Sequence, residues 1–189
     1  TEKGVPYFYL SSPHASAPIL RRMRRFGDAE SFLGLIDSVR NLAPNAGIRS
    51  NFILGFPGET EADVQIVEDF LTEARLDAIG VFGYSDEDGT EAAGLSDKQS
   101  ADVIEERRSR LADFADHLVD QRAANRIGER LEVLVEERDE DVWVGRAPHQ
   151  GPEVDGACEL IGTPDLQVGQ MVRGVVVDSV GVDLRVEVE

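Results

Sequence analysis

The chain has 189 residues, 41% of them hydrophobic and 30% charged, which fits a globular protein of one domain, or one domain with a small module, and excludes a disordered one. No apolar run nears the roughly 18 residues of a membrane span, so no membrane segment is expected. The net charge of −18 repels phosphate backbones and favours basic partners.

A single cysteine, Cys158, makes no internal disulfide and points to a reducing, cytosolic setting. The first residues, Thr1-Glu2-Lys3-Gly4, carry neither an initiator Met nor an apolar signal core, and read as a start inside a longer protein. The charge is uneven. Residues 127–189 hold 15 acidic and 5 basic side chains, a net of −10, against 22 and 14, a net of −8, in residues 1–126.

In chain order, residues 5–12 form an apolar and aromatic run that predicts a strand. Pro18 opens a helix with Ile19, Leu20 and Met23 inward, stopped at Gly27. Asp28 caps a second helix, with Phe32, Leu35, Ile36, Val39 and Leu42 at helical spacing. A strand at 48–54 ends in Gly55-Phe56-Pro57-Gly58, and Thr60, Glu61 and Asp63 start a third helix lined by Val64, Val67, Phe70, Leu71 and Ala74. Another strand follows at 78–84. Strands separated by helical crossovers imply a parallel sheet with helices packed outside. After a polar loop, residues 100–127 read as a long helix with Val103, Ile104, Leu111, Phe114 and Leu118 inward. From Leu131 the period becomes two, through Val133, Val135, Val142 and Val144. Further short runs at 157–161, 171–177 and 182–188 predict a small closed barrel. The boundary is placed at 127, giving units 1–127 and 128–189.

The stretch from Arg49 to Thr60 is a strand, a Gly-Phe-Pro-Gly turn and a helix start. Its two glycines permit close approach to the backbone, at the carboxyl end of a parallel strand where such sheets bind ligands. Ile53-Leu54-Gly55-Phe56-Pro57-Gly58-Glu59-Thr60 resembles the corresponding segment of radical S-adenosylmethionine enzymes, and most closely the methylthiotransferases. Val81-Phe82-Gly83-Tyr84-Ser85, Pro13-His14-Ala15-Ser16 and Met23-Arg24-Arg25-Phe26-Gly27 resemble neighbouring segments of that family, in the same order. Pro13 departs from it, standing where the family usually has Gln.

The resemblance implies the later strands of a partial βα barrel followed by an OB-like TRAM module, an α/β class overall. It implies S-adenosylmethionine and [4Fe–4S] clusters as cofactors, with Arg49, Ser50, Ile53, Gly55, Gly58, Glu59 and Phe82 in the adenosyl cradle. It places His14, Ser16, Tyr84 and Trp143 among candidate substrate contacts. The family's three-cysteine cluster motif is absent, so no catalytic residue and no metal ligand is assigned to this chain, and the isolated chain is expected to be inactive. Of the two branches, one modifies a tRNA adenosine and the other adds a methylthio group to an aspartate β-carbon of ribosomal protein S12. His14-Ala15-Ser16 and Gly80-Val81-Phe82 with Tyr84-Ser85 resemble the second. The acidic C-terminal segment suits a basic ribosomal protein better than tRNA, although acidity also serves solubility. The tRNA branch and a non-catalytic binding module are the alternatives.

The remaining candidates stay open. His14 is structural or a substrate contact. Trp143 fills the small core or meets a partner. Cys158, beside Val154, Ala157 and Leu160, packs as a small apolar residue. His117 and His149 are assigned nothing. The run Arg21-Arg22-Met23-Arg24-Arg25 is expected to wrap an exposed helix. Glu105, Glu106, Arg107, Arg108 and Arg110 are expected to pair on a solvated face.

Overall fold

A computed structural model describes residues 6–152, 155–162 and 165–189. The expected strand start at Val5 and the Val154 neighbour of Cys158 lie outside the described residues. The elements are β1 (Tyr7–Leu10), α1 (Ala17–Arg22), α2 (Ala29–Leu42), β2 (Gly47–Leu54), α3 (Glu61–Ala74) and β3 (Ala78–Gly83). A 3-10 turn at Ala92–Gly94 leads to α4 (Ala101–Ala124), and the barrel strands are β4 (Arg130–Asp139), β5 (Val142–Arg146), β6 (Cys158–Ile161), β7 (Met171–Val180) and β8 (Asp183–Val188).

The first three strands form a parallel sheet in the order β1-β2-β3. Alternation along β2 sorts its side chains. Ile48, Phe52 and Leu54 are fully buried against Ile36, Val64, Val67, Phe70 and Leu71. Arg49, Asn51 and Ile53 point to the opposite, partly open face. Asp28 and Thr60 cap α2 and α3 through reciprocal capping boxes with Ser31 and Asp63.

Four local expectations need correction. β1 ends at Leu10 because Ser50 Oγ donates to the Leu10 carbonyl and Pro13 has no N–H for a ladder; only the Pro13 carbonyl returns, accepting from Ile53 N at 2.9 Å. Helix α1 ends before Gly27. Arg24 takes a left-handed φ of 57°, and Arg24 N and Arg25 N bond back to Arg21 O and Leu20 O, a Schellman closure with arginine at the usual glycine position. In α2 the inward stripe is Phe32, Ile36, Val39 and then Ala43, which leaves Leu35 and Leu42 exposed. In α4 the buried stripe is Arg107, Leu111, Ala115, Val119 and Ala123, every fourth residue. Its alanines let the helix lie close to its neighbours, and Val103, Ile104, Phe114 and Leu118 become half-buried flanks.

The barrel is closed in the order β4-β5-β6-β8-β7. Leu131, Val133, Val135, Cys158, Leu160, Val172, Val176, Leu184 and Val186 fill it, and Ala123 at the end of α4 joins the same core. Val142 and Val144 do not face in. Gly145 pairs with the buried Val135, so alternation along β5 turns Trp143 to the same face, where it packs against the barrel core, and a register shift in β4 between Val135 and Glu137 sets Arg138 opposite it. The Arg138 guanidinium lies 5.5 Å from the Trp143 ring centroid.

Candidate functional site

A cleft of about 810 Å³ opens over the carboxyl ends of β1, β2 and β3. Ile53 and Phe82 are cross-strand partners on its floor. The Phe56 and Tyr84 rings meet edge-on with centroids 5.1 Å apart. Asn51 donates to the Tyr9 hydroxyl at 2.7 Å, while its Oδ1 is buried with no hydrogen-bond partner among the described residues. Burial and the bond to Asp86 push the Tyr84 phenol up to about 12. One wall is the Schellman turn, which brings Arg21, Arg22, Arg24 and Arg25 to the rim. All four are exposed as expected, with Arg21 and Arg22 on α1, but Arg24 and Arg25 lie beyond the helix end.

Of the expected cradle residues, Ile53 and Phe82 line the cleft, as does Tyr84. Gly55, Gly58 and Glu59 lie behind it, in the turn that supports the floor. A Cβ on Gly55 would sit 2.5 Å from Ile104 Cγ1, and one on Gly58 would sit 2.8 Å from Arg22 Cζ. The glycines therefore admit α4 and α1, and their φ of +79° and +85° suits residues without Cβ.

Glu59 is the centre of this turn. Its fully buried carboxylate accepts from Gly55 N at 2.9 Å and 3.0 Å and from Arg107 Nη1 at 2.9 Å. His14, also buried, lies 3.3 Å away through Nε2. Ser16 N donates to His14 Nδ1, so Nε2 carries the proton toward Glu59. Ser16 Oγ donates to Asp63 at 2.5 Å. Burial raises the Asp63 pKa, but hydrogen bonds from Ser16 and Thr60 outweigh it and hold the carboxyl below its ordinary range. Arg107, expected on a solvated face, is corrected to a buried position bridging Glu59 and Glu61; Arg108–Glu105 and Arg110–Glu106 pair as expected.

Ser50 Oγ lies 2.9 Å from Ser12 Oγ beneath the sheet. Arg49 reaches the barrel loop. Its Nη1 bonds Asp155 at 3.1 Å, and Asp155 also accepts from Tyr7 and from Gly151 N. Asp77 pairs with Arg122 and Arg126 within the first unit, and Arg126 also pairs with Glu129 at the entry to the barrel. Trp143 lies in the barrel, away from the cleft lining. Sequence reasoning missed Asn51, Phe56, Arg107, Asp77 and Asp155. Asn51 and Phe56 carried a signal, since both lie within the motif itself.

Residues 127–188 match the TRAM domain family. The ribosomal protein uS12 methylthiotransferase of Cutibacterium acnes is 61% identical over 97% of the chain and 38% of its own length. That of Saccharopolyspora erythraea is 60% identical over 98% of the chain and 39% of its own length. That of Streptomyces coelicolor is 54% identical over 99% of the chain and 39% of its own length. The chain belongs to the uS12 methylthiotransferase family. It spans less than two-fifths of the length of these relatives.

Two groups implied by the sequence resemblance can be tested against these residues. S-adenosylmethionine fits, because the cleft offers an aromatic and apolar floor together with a buried, unpaired Asn51 acceptor. A [4Fe–4S] cluster does not fit among the described residues. Cys158 is sealed in the barrel core, where burial raises its thiol to about 12, and no group of three or more His, Cys, Asp or Glu is placed to hold a metal ion.

Proposed function

We propose that this chain is the cradle-and-docking part of a cytoplasmic radical S-adenosylmethionine enzyme that methylthiolates the β-carbon of an aspartate in ribosomal protein uS12. The observation that carries the reading is the union of an S-adenosylmethionine-sized cleft with an acidic TRAM barrel, on a chain up to 61% identical to uS12 methylthiotransferases. The units are 1–127 and 128–189, and no helix among the described residues is long and apolar enough to cross a membrane.

Each residue set has a distinct task. Ile53, Phe82 and Tyr84, with Phe56, cover the adenosyl group and exclude water. Asn51 Oδ1 accepts a hydrogen bond from it. Glu59 and Arg107 fix the turn beneath the floor, Gly55 and Gly58 allow its close packing, and Ser50 ties β2 to the end of β1. S-adenosylmethionine held in this cleft would supply the radical chemistry that removes a C–H hydrogen. The TRAM barrel attracts the basic substrate, which its net charge favours over tRNA.

The test is mass spectrometry of uS12 incubated with S-adenosylmethionine, a sulfur source and reductant. A full-length enzyme carrying this segment should add one methylthio group to one aspartate. Residues 1–189 alone should add none. Modification of tRNA in place of uS12 would refute the assignment of branch, and cofactor cleavage by residues 1–189 alone would refute the assignment of the cluster to other residues.

A further inference from the structure

We propose that the arginine wall of the cleft is a carboxylate-reading site, which recognises the acidic side chain to be modified within an otherwise basic protein substrate. The inference rests on the proposed function and names how its substrate is chosen.

Four guanidinium groups line one side of this cleft in a chain whose net charge is −18. Two are engaged. Arg24 pairs with Glu91, and Arg22 lies 3.9 Å from Asp97. Arg25 is exposed and has no ion-pair partner among the described residues, and Arg21, also exposed, has only a distant attraction to the exposed Asp28. The backbone that presents them is unusual. Arg24 occupies the left-handed position of the Schellman turn, a conformation that favours glycine. The chain thus keeps an arginine at a strained position and turns Arg25 back to the cleft, through the bond from Arg25 N to Leu20 O at 2.7 Å.

A planar guanidinium fork binds a carboxylate through two parallel hydrogen bonds, and an amide of the same shape cannot supply the charge. The wall faces the Phe82 and Tyr84 floor, so a bound acidic side chain would lie over the surface assigned to the cofactor. A nucleic acid could also answer to arginines. It would bring many phosphates against the −18 field, whereas a lone carboxylate on a cationic protein does not. The acidic barrel then attracts the body of the substrate, and the arginine wall selects one side chain on it.

The experiment uses residues 1–189 and two labelled synthetic peptides from uS12, one centred on the modified aspartate and its twin with asparagine. Fluorescence anisotropy should show about a tenfold preference for the aspartate peptide, in line with a charge-assisted hydrogen bond. Arg21→Gln/Arg25→Gln should bring the two peptides within about twofold of each other while the asparagine peptide binds as before. Arg21→Lys/Arg25→Lys should keep part of the preference. Far-UV circular dichroism confirms that each variant is folded. Absence of the preference in the parent chain, or its survival in the glutamine variant, overturns the inference. So does a glutamine variant that loses only S-adenosylmethionine affinity, which would assign the wall to the cofactor's own carboxylate, or one that loses only RNA binding. Whole uS12 is titrated alongside. If it binds without an aspartate preference, the wall fails and the proposed function stands. If it does not bind, the proposed function fails as well.

Discussion

Replacing Glu59 with alanine should loosen the whole cleft, although Glu59 does not line it. The substitution removes a fully buried carboxylate and leaves the Arg107 guanidinium, 8% exposed, with only the outer Glu61 as a carboxylate partner. Breaking a buried ion pair on one side costs about 3–5 kcal/mol. The Gly55 N–H loses its acceptor, an effect of about 1–3 kcal/mol that overlaps the first. For a chain of this size each kcal/mol moves the midpoint by about 2–4 °C, so a fall of about 10 °C is expected. Among the described residues all four α-helices lie in the sheet-bearing unit, and the single tryptophan lies in the barrel. Thermal melts followed by far-UV circular dichroism should therefore shift more than those followed by Trp143 fluorescence. Glu59→Gln should fall between parent and alanine, because its carbonyl can still accept from Gly55. A double-mutant cycle with Arg107→Met should return a coupling of about 1.5 kcal/mol or more, appropriate to a charge-assisted bond. A Glu59→Ala melt within a degree or two of the parent would refute the claim that this carboxylate holds the turn.

Other outcomes follow from the same contacts. Burial pushes His149 from 6.5 down to about 3, so the unfolded chain takes up a proton across that window and the folded chain does not. Stability should fall as the pH drops below about 6.5, by up to 1.4 kcal/mol per pH unit, and His149→Gln should flatten that limb of a urea-denaturation series. Cys158, fully buried with its thiol raised to about 12, should resist alkylation in the folded chain and react fully in denaturant; fast labelling of the native chain would contradict its placement. Asp155→Asn should weaken the bond to Arg49 and uncouple the units, so that helix and Trp143 melting curves that coincide in the parent separate in the variant.

Much of this architecture was legible in the sequence. The helix starts at Asp28 and Thr60, the strand at 48–54 and the period-two pattern after Leu131 all carry local signals, and local signals decide those elements. The glycine turn was also readable as a special position, but its physical role was not. Gly55 and Gly58 are needed for close packing of Ile104 and Arg22, and those residues are distant in sequence. The buried face of α4 was hidden because alanine and Arg107 carry no hydropathy signal for burial. Trp143 faces the core because Gly145, two residues on, pairs with the buried Val135, a cross-strand register that alternation within β5 alone cannot reveal. The arginine wall depended on where α1 stops. A reading by residue type sets that stop at Gly27, whereas the backbone closes at Arg24.

The measurement that bears most directly on the account is a competition between purified uS12 and bulk tRNA for the 189-residue chain, followed by anisotropy of the labelled chain as salt is raised. The account predicts saturable binding of uS12 that weakens with salt and with charge reversal of the barrel acids Glu136, Glu137 and Asp139, and no displacement by tRNA. Binding of tRNA in preference to uS12, or uS12 binding untouched by those reversals, would contradict it.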